Sequence, residues 1–218
     1  MTEKKDPKII YNIKIILLGE SGVDKTQLIN VFLGNGYNDS QMISGNPCQS
    51  FQEITINDKF LNVALWDTMG QEKYRSLTKN FINESNIVIF VYDISRKDTI
   101  LELDYWYNIL REELNDEEVI FGVVANKMDL FDDNSIQKEE GVEYSNKIGA
   151  SFFETSAKLE SQYKEEAEKK VFKKWIYDLL QKLVSNENIM SKIEEFTQND
   201  ESFHIEEPKK KKIFKCCN

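Results

Sequence analysis

The feature that most constrains the fold is an apolar run followed by a glycine-bearing loop and a helical pattern. Residues 13–18, IKIILL, are typical of a buried strand, and residues 25–33, KTQLINVFL, are typical of a helix. In a loop between such elements, successive backbone N–H groups form a concave anion site, and the helix N-terminus adds positive potential. The stretch therefore predicts a phosphate-binding loop.

The candidate residues of this loop depart from the usual pattern at one position. Lys25 is expected to reach terminal phosphates, and the Thr26 hydroxyl is expected to ligate Mg²⁺. Asp24 stands where the pattern has glycine, so a strand-to-helix turn without a ligand is the open alternative. The predicted phosphate-binding residues are Gly19, Glu20, Ser21, Gly22, Val23, Asp24, Lys25 and Thr26.

Length and composition favour one domain with a tail. The 218 residues are 40% apolar, which is sufficient for a core, and no run approaches the roughly 20 apolar residues of a membrane span. The start of the chain is too polar for a signal peptide. Three cysteines, at 48, 216 and 217, are too few and too badly spaced for a disulfide framework or a zinc site, which predicts a cytosolic protein.

The net charge of −10 is unevenly distributed. Five of the 28 basic residues are lysines at 209–212 and 215, which leaves 23 basic against 38 acidic residues and a net charge of −15 in the rest of the chain. A body with that charge repels nucleic acid and anionic membrane. We therefore expect no nucleic-acid partner and assign any attraction to anionic lipid to the C-terminal segment.

Apolar runs alternate with helical patterns along the chain, which predicts a parallel sheet covered on both faces, with one hairpin adding an antiparallel edge strand. Ligands of such sheets bind at the carboxyl ends of the strands, and Gly19, Asp67, Asn126 and Ser156 each follow a strand. The predicted strands are at 13–18, 51–56, 60–66, 87–92, 119–125 and 151–154, and the predicted helices are at 25–33, 99–114, 136–148 and through Phe172, Ile176, Leu179 and Leu183.

Four motifs then carry a resemblance to a known family. They are Asn-Lys-Met-Asp at 126–129, Glu-Thr-Ser-Ala-Lys at 154–158, WDTMGQEKYRSLT at 66–78 and VYDIS at 91–95. With these motifs the chain resembles the Ras superfamily of small GTPases, and within it the Rab family, over residues 14–184. The resemblance implies a P-loop NTPase domain of α/β class, with a six-stranded mostly parallel sheet, one antiparallel edge strand and about five helices. It places this domain at 11–184, between an N-terminal extension at 1–10 and a hypervariable tail at 185–218.

The resemblance implies a guanine site in the two motifs at 126–129 and 154–158. Asp129 would accept the N1–H and N2–H groups of guanine, which adenine lacks, and an unpaired buried carboxylate would disfavour adenine. Asn126 and Lys127 would brace the loops and pack over the base, and the Ala157 amide would meet O6. Ser156 and Lys158 complete the second motif. A helix cap at Asp129 and a loop lysine remain the alternative for either motif alone.

The resemblance also implies a Mg²⁺ site and a hydrolytic residue. The metal ligands would be Thr26, Ser44 and, through a water, Asp67. Ser44 is either this ligand or a plain loop residue, because its neighbours differ from the family sequence. Gly70 would offer its amide to the γ-phosphate, and Gln71 would orient the attacking water.

Two substitutions bear on GTP binding and turnover. Met69 replaces an alanine of the family and could crowd the attacking water. The Asp24 carboxylate, about 4 Å from a phosphate charge at an effective dielectric of about 20, would cost about 4 kcal/mol, unless it turns outward or pairs with a lysine. No arginine near the motifs is indicated as an arginine finger within this chain, so we expect a partner protein to supply one.

The end of the chain resembles a Rab tail. Cys216 and Cys217 fit the pattern for double prenylation, and the lysines before them could each add about 1 kcal/mol toward anionic lipid. A solvated basic tail is the alternative.

The resemblance thus implies a monomeric switch in vesicle trafficking that binds GTP or GDP with Mg²⁺ and slowly hydrolyses GTP. Its partners would be effector, exchange and activating proteins. It would be localised to the cytoplasmic face of an intracellular membrane, with a second pool in the cytosol. The rival hypothesis is a lipid-anchored, non-catalytic binding module that holds nucleotide weakly or not at all.

Overall fold

A computed structural model describes residues 9–38, 48–68, 82–114, 118–162 and 171–199. Its centre is a six-stranded sheet in the order β2-β3-β1-β4-β5-β6. The strands are β1 (Ile10–Leu18), β2 (Cys48–Ile56), β3 (Lys59–Asp67), β4 (Ile87–Asp93), β5 (Ile120–Asn126) and β6 (Ser151–Glu154).

The predicted mostly parallel sheet with one antiparallel edge strand is confirmed. β1 pairs in parallel with β3 and β4, and the parallel pairing continues through β5 to β6. Among the described strands, only β2, at the edge, pairs antiparallel, and its register with β3 leaves Asn57 and Asp58 as a two-residue turn. Both turn residues have positive φ, 47° and 61°, as the tight hairpin turn that suits the strand twist requires.

Helices cover both faces of the sheet. One apolar layer packs β1 and β3 against α1, α6 and α7, and the other packs β4 and β5 against α3 and α4. The helices are α1 (Lys25–Leu33), α2 (Lys97–Leu101), α3 (Leu103–Glu113), α4 (Lys138–Lys147), α5 (Ala157–Glu160), α6 (Val171–Ser185) and α7 (Glu187–Asn199). None of the described helices is long and apolar enough to cross a lipid bilayer.

Two helical regions differ from the sequence prediction. The single helix expected at 99–114 is divided at Glu102 into α2 and α3, although the hydrogen bond from the Glu102 amide to Asp98 keeps the two nearly continuous. In the polar stretch after Ser185, the apolar residues Ile189, Ile193 and Phe196 allow a short continuation of the last helix. The chain instead forms a separate helix, α7, which buries Ile189, Met190 and Ile193 against the domain. The boundaries at residues 10 and 184 stay predictions.

Candidate functional site

The loop between β1 and α1 begins where β1 lies against β4. Gly19 has φ 147°, and a Cβ atom at this residue would lie 2.1 Å from the carbonyl oxygen of Val91. Only glycine permits this approach of the two backbones. The close packing turns the chain sharply from the end of β1 into the loop, which puts the loop at the carboxyl edge of the sheet.

Side chains hold the loop through its carbonyl oxygens. Each carbonyl from residue 19 to residue 23 accepts a side-chain hydrogen bond, and the donors come from α1, from the turn after β4 and from the end of β5. With its carbonyls bonded in this way, the loop can present N–H groups to an anion. The bonds are Lys25 Nζ to Gly19 at 2.7 Å and to Glu20 at 2.8 Å, Arg96 Nη2 to Ser21 at 2.9 Å, Lys127 Nζ to Gly22 at 2.6 Å, and Asn126 Nδ2 to Val23 at 2.9 Å.

Asp24 occupies a backbone conformation that favours glycine. Its φ of 68° and ψ of 35° are left-handed, and aspartate is one of the few other residues that adopt them readily. Its carboxylate accepts a hydrogen bond from the Tyr37 hydroxyl at 3.2 Å and lies 4.0 Å from Lys127 Nζ. Burial raises the pKa of Asp24, and Lys127 and Tyr37 offset part of this increase. The Asp24 carboxylate could reduce its repulsion of a phosphate by turning outward or by pairing with a lysine. The structure shows the pairing, with Lys127.

Thr26 and Asp67 form the candidate metal-binding pair. The Thr26 hydroxyl donates to Asp67 Oδ2 at 2.5 Å, so the first turn of α1 meets the end of β3. The next residue, Thr68, donates to the Leu17 carbonyl at 2.9 Å and ties this end of β3 to β1. A hydroxyl and a buried carboxylate are oxygen ligands of the kind Mg²⁺ takes beside phosphate oxygens and water, so these residues fit the ion.

The two predicted base-contacting motifs lie against each other. Asn126 is fully buried, and its Oδ1 accepts the Ala157 amide at 3.2 Å. The Ser156 hydroxyl donates to Asp129, which lies in a short 3₁₀ turn, Met128–Leu130. Backbone bonds from Met128 to Thr155 and from Thr155 to Ala125 join the same two loops. Lys158 lies exposed in the first turn of α5. The residues predicted from both motifs are thus brought to the edge of the sheet that carries the phosphate loop.

Sequence analysis missed residues that support this edge. Asp93, at the end of β4, is 2% exposed, and its carboxylate lies 3.0 Å from Lys127 Nζ. Burial alone would raise the pKa of Asp93, but hydrogen bonds from Ser95 and Lys127 outweigh it and lower the pKa. The sequence feature that could have identified Asp93 is its position at the end of an apolar strand pattern.

A second missed residue is Glu160. Its buried carboxylate accepts the Thr155 hydroxyl at 2.5 Å and the Phe172 amide at 3.0 and 3.1 Å, which links the second base-contacting motif to the first turn of α6. No local pattern marks it, because its partners lie on both sides of a long connection.

One arginine lies beside the phosphate loop, and the expectation that a partner protein supplies the arginine for hydrolysis stays a prediction. Arg96 follows β4 and contacts the phosphate loop at Ser21, 75 residues earlier in the chain. β4 is the neighbour of β1 in the sheet, so the turns that follow the two strands lie side by side. Because the two residues are far apart in the sequence, local patterns could not predict this contact.

Several predicted residues lie outside the described residues. They are Ser44, Met69, Gly70, Gln71, Cys216 and Cys217. Their roles stay predictions.

The fold and the site together define a class. A glycine-bearing loop joins the central strand of a mostly parallel sheet to a helix, and a lysine in the first turn of that helix lies over the loop. This arrangement is that of a P-loop nucleotide-binding protein.

Comparison with known proteins gives the family. A family model described as Ras family matches residues 14–179. The Ras-related protein RABC1 of Arabidopsis thaliana is 34% identical over 153 residues, 70% of this chain and 72% of the relative. Human Ras-related protein Rab-17 is 35% identical over 170 residues, 78% of this chain and 77% of the relative. Human Ras-related protein Rab-21 is 34% identical over 148 residues, 68% of this chain and 65% of the relative.

The chain belongs to the Ras family and is a Rab-type small GTPase, a class of GTP hydrolases. The family inferred from the four motifs is confirmed.

Proposed function

We propose that this protein binds GTP and GDP with Mg²⁺, slowly hydrolyses GTP, and acts as a nucleotide-dependent switch in vesicle trafficking. The observation that carries the proposal is the set of side-chain bonds to the carbonyls of residues 19–23. Two of its donors, Asn126 and Lys127, belong to a predicted base-contacting motif. The phosphate loop and the base motif are therefore physically joined.

The base would be selected at Asp129. Its carboxylate can accept two adjacent donors of guanine, and the Ser156 hydroxyl that donates to Oδ1 fixes its orientation. The Ala157 amide, held near Asn126, would meet the base oxygen. An adenine would leave the carboxylate unpaired, which favours guanine by a large factor.

The phosphates would lie over the loop, where the residue 20–24 amides and Lys25 can hold them. Thr26 and Asp67 would hold Mg²⁺, Asp67 through a water, with Ser44 as a further candidate ligand. When bound, the ion would neutralise part of the phosphate charge. Lys25 Nζ bonds the Gly19 and Glu20 carbonyls, so its ammonium group is positioned at the mouth of the loop.

Hydrolysis would depend on residues 69–71. We assign Gln71 to the orientation of the attacking water and the Gly70 amide to the γ-phosphate. The bulk of Met69 beside them favours slow turnover. An activating protein that supplies an arginine would provide most of the acceleration.

Membrane attachment would use the tail. Prenylation of Cys216 and Cys217 would give two chains, which anchor stably where one is marginal. The lysines at 209–212 and 215 would add attraction to anionic lipid on the cytoplasmic face of an intracellular membrane. Effector, exchange and activating proteins are the expected partners of this monomeric switch.

Nucleotide content of the purified full chain tests the proposal. We expect wild type to release guanine nucleotide on denaturation and to bind fluorescent GDP in the presence of Mg²⁺. Asp24→Gly should bind about tenfold more tightly, because removing the carboxylate relieves a phosphate repulsion that Lys127 already screens in part. Lys25→Ala is the negative control.

Two outcomes would contradict the proposal. An empty wild type beside a loaded Asp24→Gly variant would favour the non-catalytic binding module, which the comparisons do not support. If both proteins were empty, the assignment of the phosphate loop itself would be wrong.

A further inference from the structure

We propose that Arg96 is a positioning residue of the phosphate site, which holds the outer side of the loop and lies within ion-pair distance of Asp93. This inference rests on the proposed function, because it assigns a role at the same site. Arg96 belongs to none of the motifs from which that site was predicted.

The guanidinium lies alongside the bend of the loop. Its Nη2 donates to the Ser21 carbonyl at 2.9 Å, and Nη1 is 4.0 Å from the position that a Cβ of Gly22 would occupy. A guanidinium keeps its charge at every physiological pH and presents its donors in a fixed plane, so the contact is a charge-assisted hydrogen bond of defined direction.

One buried carboxylate organises Arg96 together with Lys127. Asp93 Oδ2 lies 3.0 Å from Lys127 Nζ and 3.8 Å from Arg96 Nε. Its other oxygen, Oδ1, accepts the Ser95 amide at 2.9 Å and the Ser95 hydroxyl at 2.6 Å, so the carboxylate cannot turn away.

The two cations then hold successive residues of the loop. Arg96 bonds the carbonyl of Ser21, and Lys127 bonds the carbonyl of Gly22. Fixing two successive carbonyls fixes the peptide planes between residues 21 and 23, and with them the direction of the N–H groups that an anion needs. The guanidinium also places positive charge beside a loop that contains the acidic residues Glu20 and Asp24.

The side chain of Arg96 can be tested apart from its backbone. The Arg96 carbonyl accepts the Thr99 amide at 3.1 Å and the Thr99 hydroxyl at 2.7 Å. These bonds stabilise the start of α2, and they require no particular side chain at residue 96. Substitution of the side chain therefore removes the contact with the loop and leaves the start of the helix in place.

The experiment compares Arg96→Ala, Arg96→Lys and Asp93→Asn with wild type. The matched control is Lys97→Ala, which removes the same charge from the adjacent exposed residue. Release of fluorescent GDP from the Mg²⁺-loaded full chain is one readout. Hydrogen exchange of the amides at residues 20–24 in nucleotide-free protein is the second, and it does not require that nucleotide binds.

We expect Arg96→Ala to release GDP about tenfold faster than wild type, the effect of one charge-assisted hydrogen bond at a half-exposed site. Arg96→Lys should be intermediate, and Asp93→Asn should release GDP faster because both cations lose their shared partner. Exchange at residues 20–24 should accelerate in the same order, while Lys97→Ala should match wild type in both readouts.

The outcomes separate the two proposals. If wild type holds GDP and Arg96→Ala releases it no faster than Lys97→Ala, the role of Arg96 is wrong and the proposed function stands. If wild type holds no nucleotide, the proposed function fails. Hydrogen exchange of the amides at residues 20–24 then tests the role of Arg96 by itself. Unchanged exchange in Arg96→Ala would then overturn the positioning role.

Discussion

The smallest unit of the site that can be tested is the pair formed by Thr26 and Asp67. The Thr26 hydroxyl lies 2.5 Å from Asp67 Oδ2, so removal of the hydroxyl leaves the buried carboxylate without this donor and the proposed metal site without one of its candidate ligands. We expect Thr26→Ala to release GDP at one rate with and without EDTA, whereas wild type should release it about tenfold faster or more when EDTA removes Mg²⁺.

Thr26→Ser is the matched control, because it keeps the hydroxyl and should keep the response to EDTA. The measurement is the dissociation rate of fluorescent GDP. A Thr26→Ala variant that still responds to EDTA as wild type does would show that the metal is held without this residue.

At the residue scale, sequence analysis could select candidate residues but could not predict what their side chains contact. It singled out Asp24 from a local pattern. The direction of that carboxylate depends on Tyr37 and Lys127, which lie 13 and 103 residues further along the chain. Arg96 was missed for the same reason, since its partner at Ser21 is adjacent only after β1 and β4 pair. Such contacts are set by strand order, which no local pattern encodes.

At the scale of the element, strands were predicted well because their signals are strong. β4 and β5 are buried on both faces, and a continuous apolar run is the direct consequence of that burial. Helix ends were predicted less well. The break at Glu102 leaves a hydrogen bond across it, so the apolar spacing of α2 and α3 gives no sign of a division.

Helix α7 offers a prediction at this scale. Ile193 is 6% exposed and packs into the layer formed with α6 and β1, whereas Phe196, one turn further, is 71% exposed. We expect Ile193→Ala to lower the free energy of unfolding by about 2 kcal/mol, from lost burial and a residual cavity. Phe196→Ala should change it by less than about 0.5 kcal/mol.

Urea unfolding followed by circular dichroism measures both changes, and Phe196→Ala controls for the helix propensity of the new alanine. Equal effects of the two substitutions would mean that α7 does not pack on the domain in solution. The ion pair between Glu194 and Lys59, at 3.1 Å, lies at the same contact but is partly exposed, so little of the stability should depend on it.

At the scale of the whole molecule, the candidate nucleotide site and the contacts of Glu194 in α7 lie at opposite ends of the sheet. The site lies where β1, β3 and β5 end, whereas Glu194 of α7 contacts Tyr11 and Lys59, which lie where β1 and β3 begin. Glu194 therefore contacts the end of the strands that is remote from the candidate nucleotide site. The proposed membrane attachment, through residues 209–217, and the proposed nucleotide binding therefore use different parts of the chain.

This separation gives the last prediction. The lysines at 209–212 and 215 are the concentrated basic charge of a chain whose other residues carry a net charge of −15. Each lysine near an anionic surface contributes about 1 kcal/mol, so replacing all five with glutamine should abolish sedimentation of the unprenylated full chain with phosphatidylserine vesicles. Release of GDP should change by less than about twofold, because the substituted residues follow a helix at the opposite end of the sheet.

Phosphatidylcholine vesicles and 0.5 M salt, at about a 4 Å Debye length, are the controls for charge. If the substituted chain still sedimented with anionic vesicles, the acidic body would have to contain a second lipid-binding surface. A large change in GDP release would instead require that the tail reaches the nucleotide site.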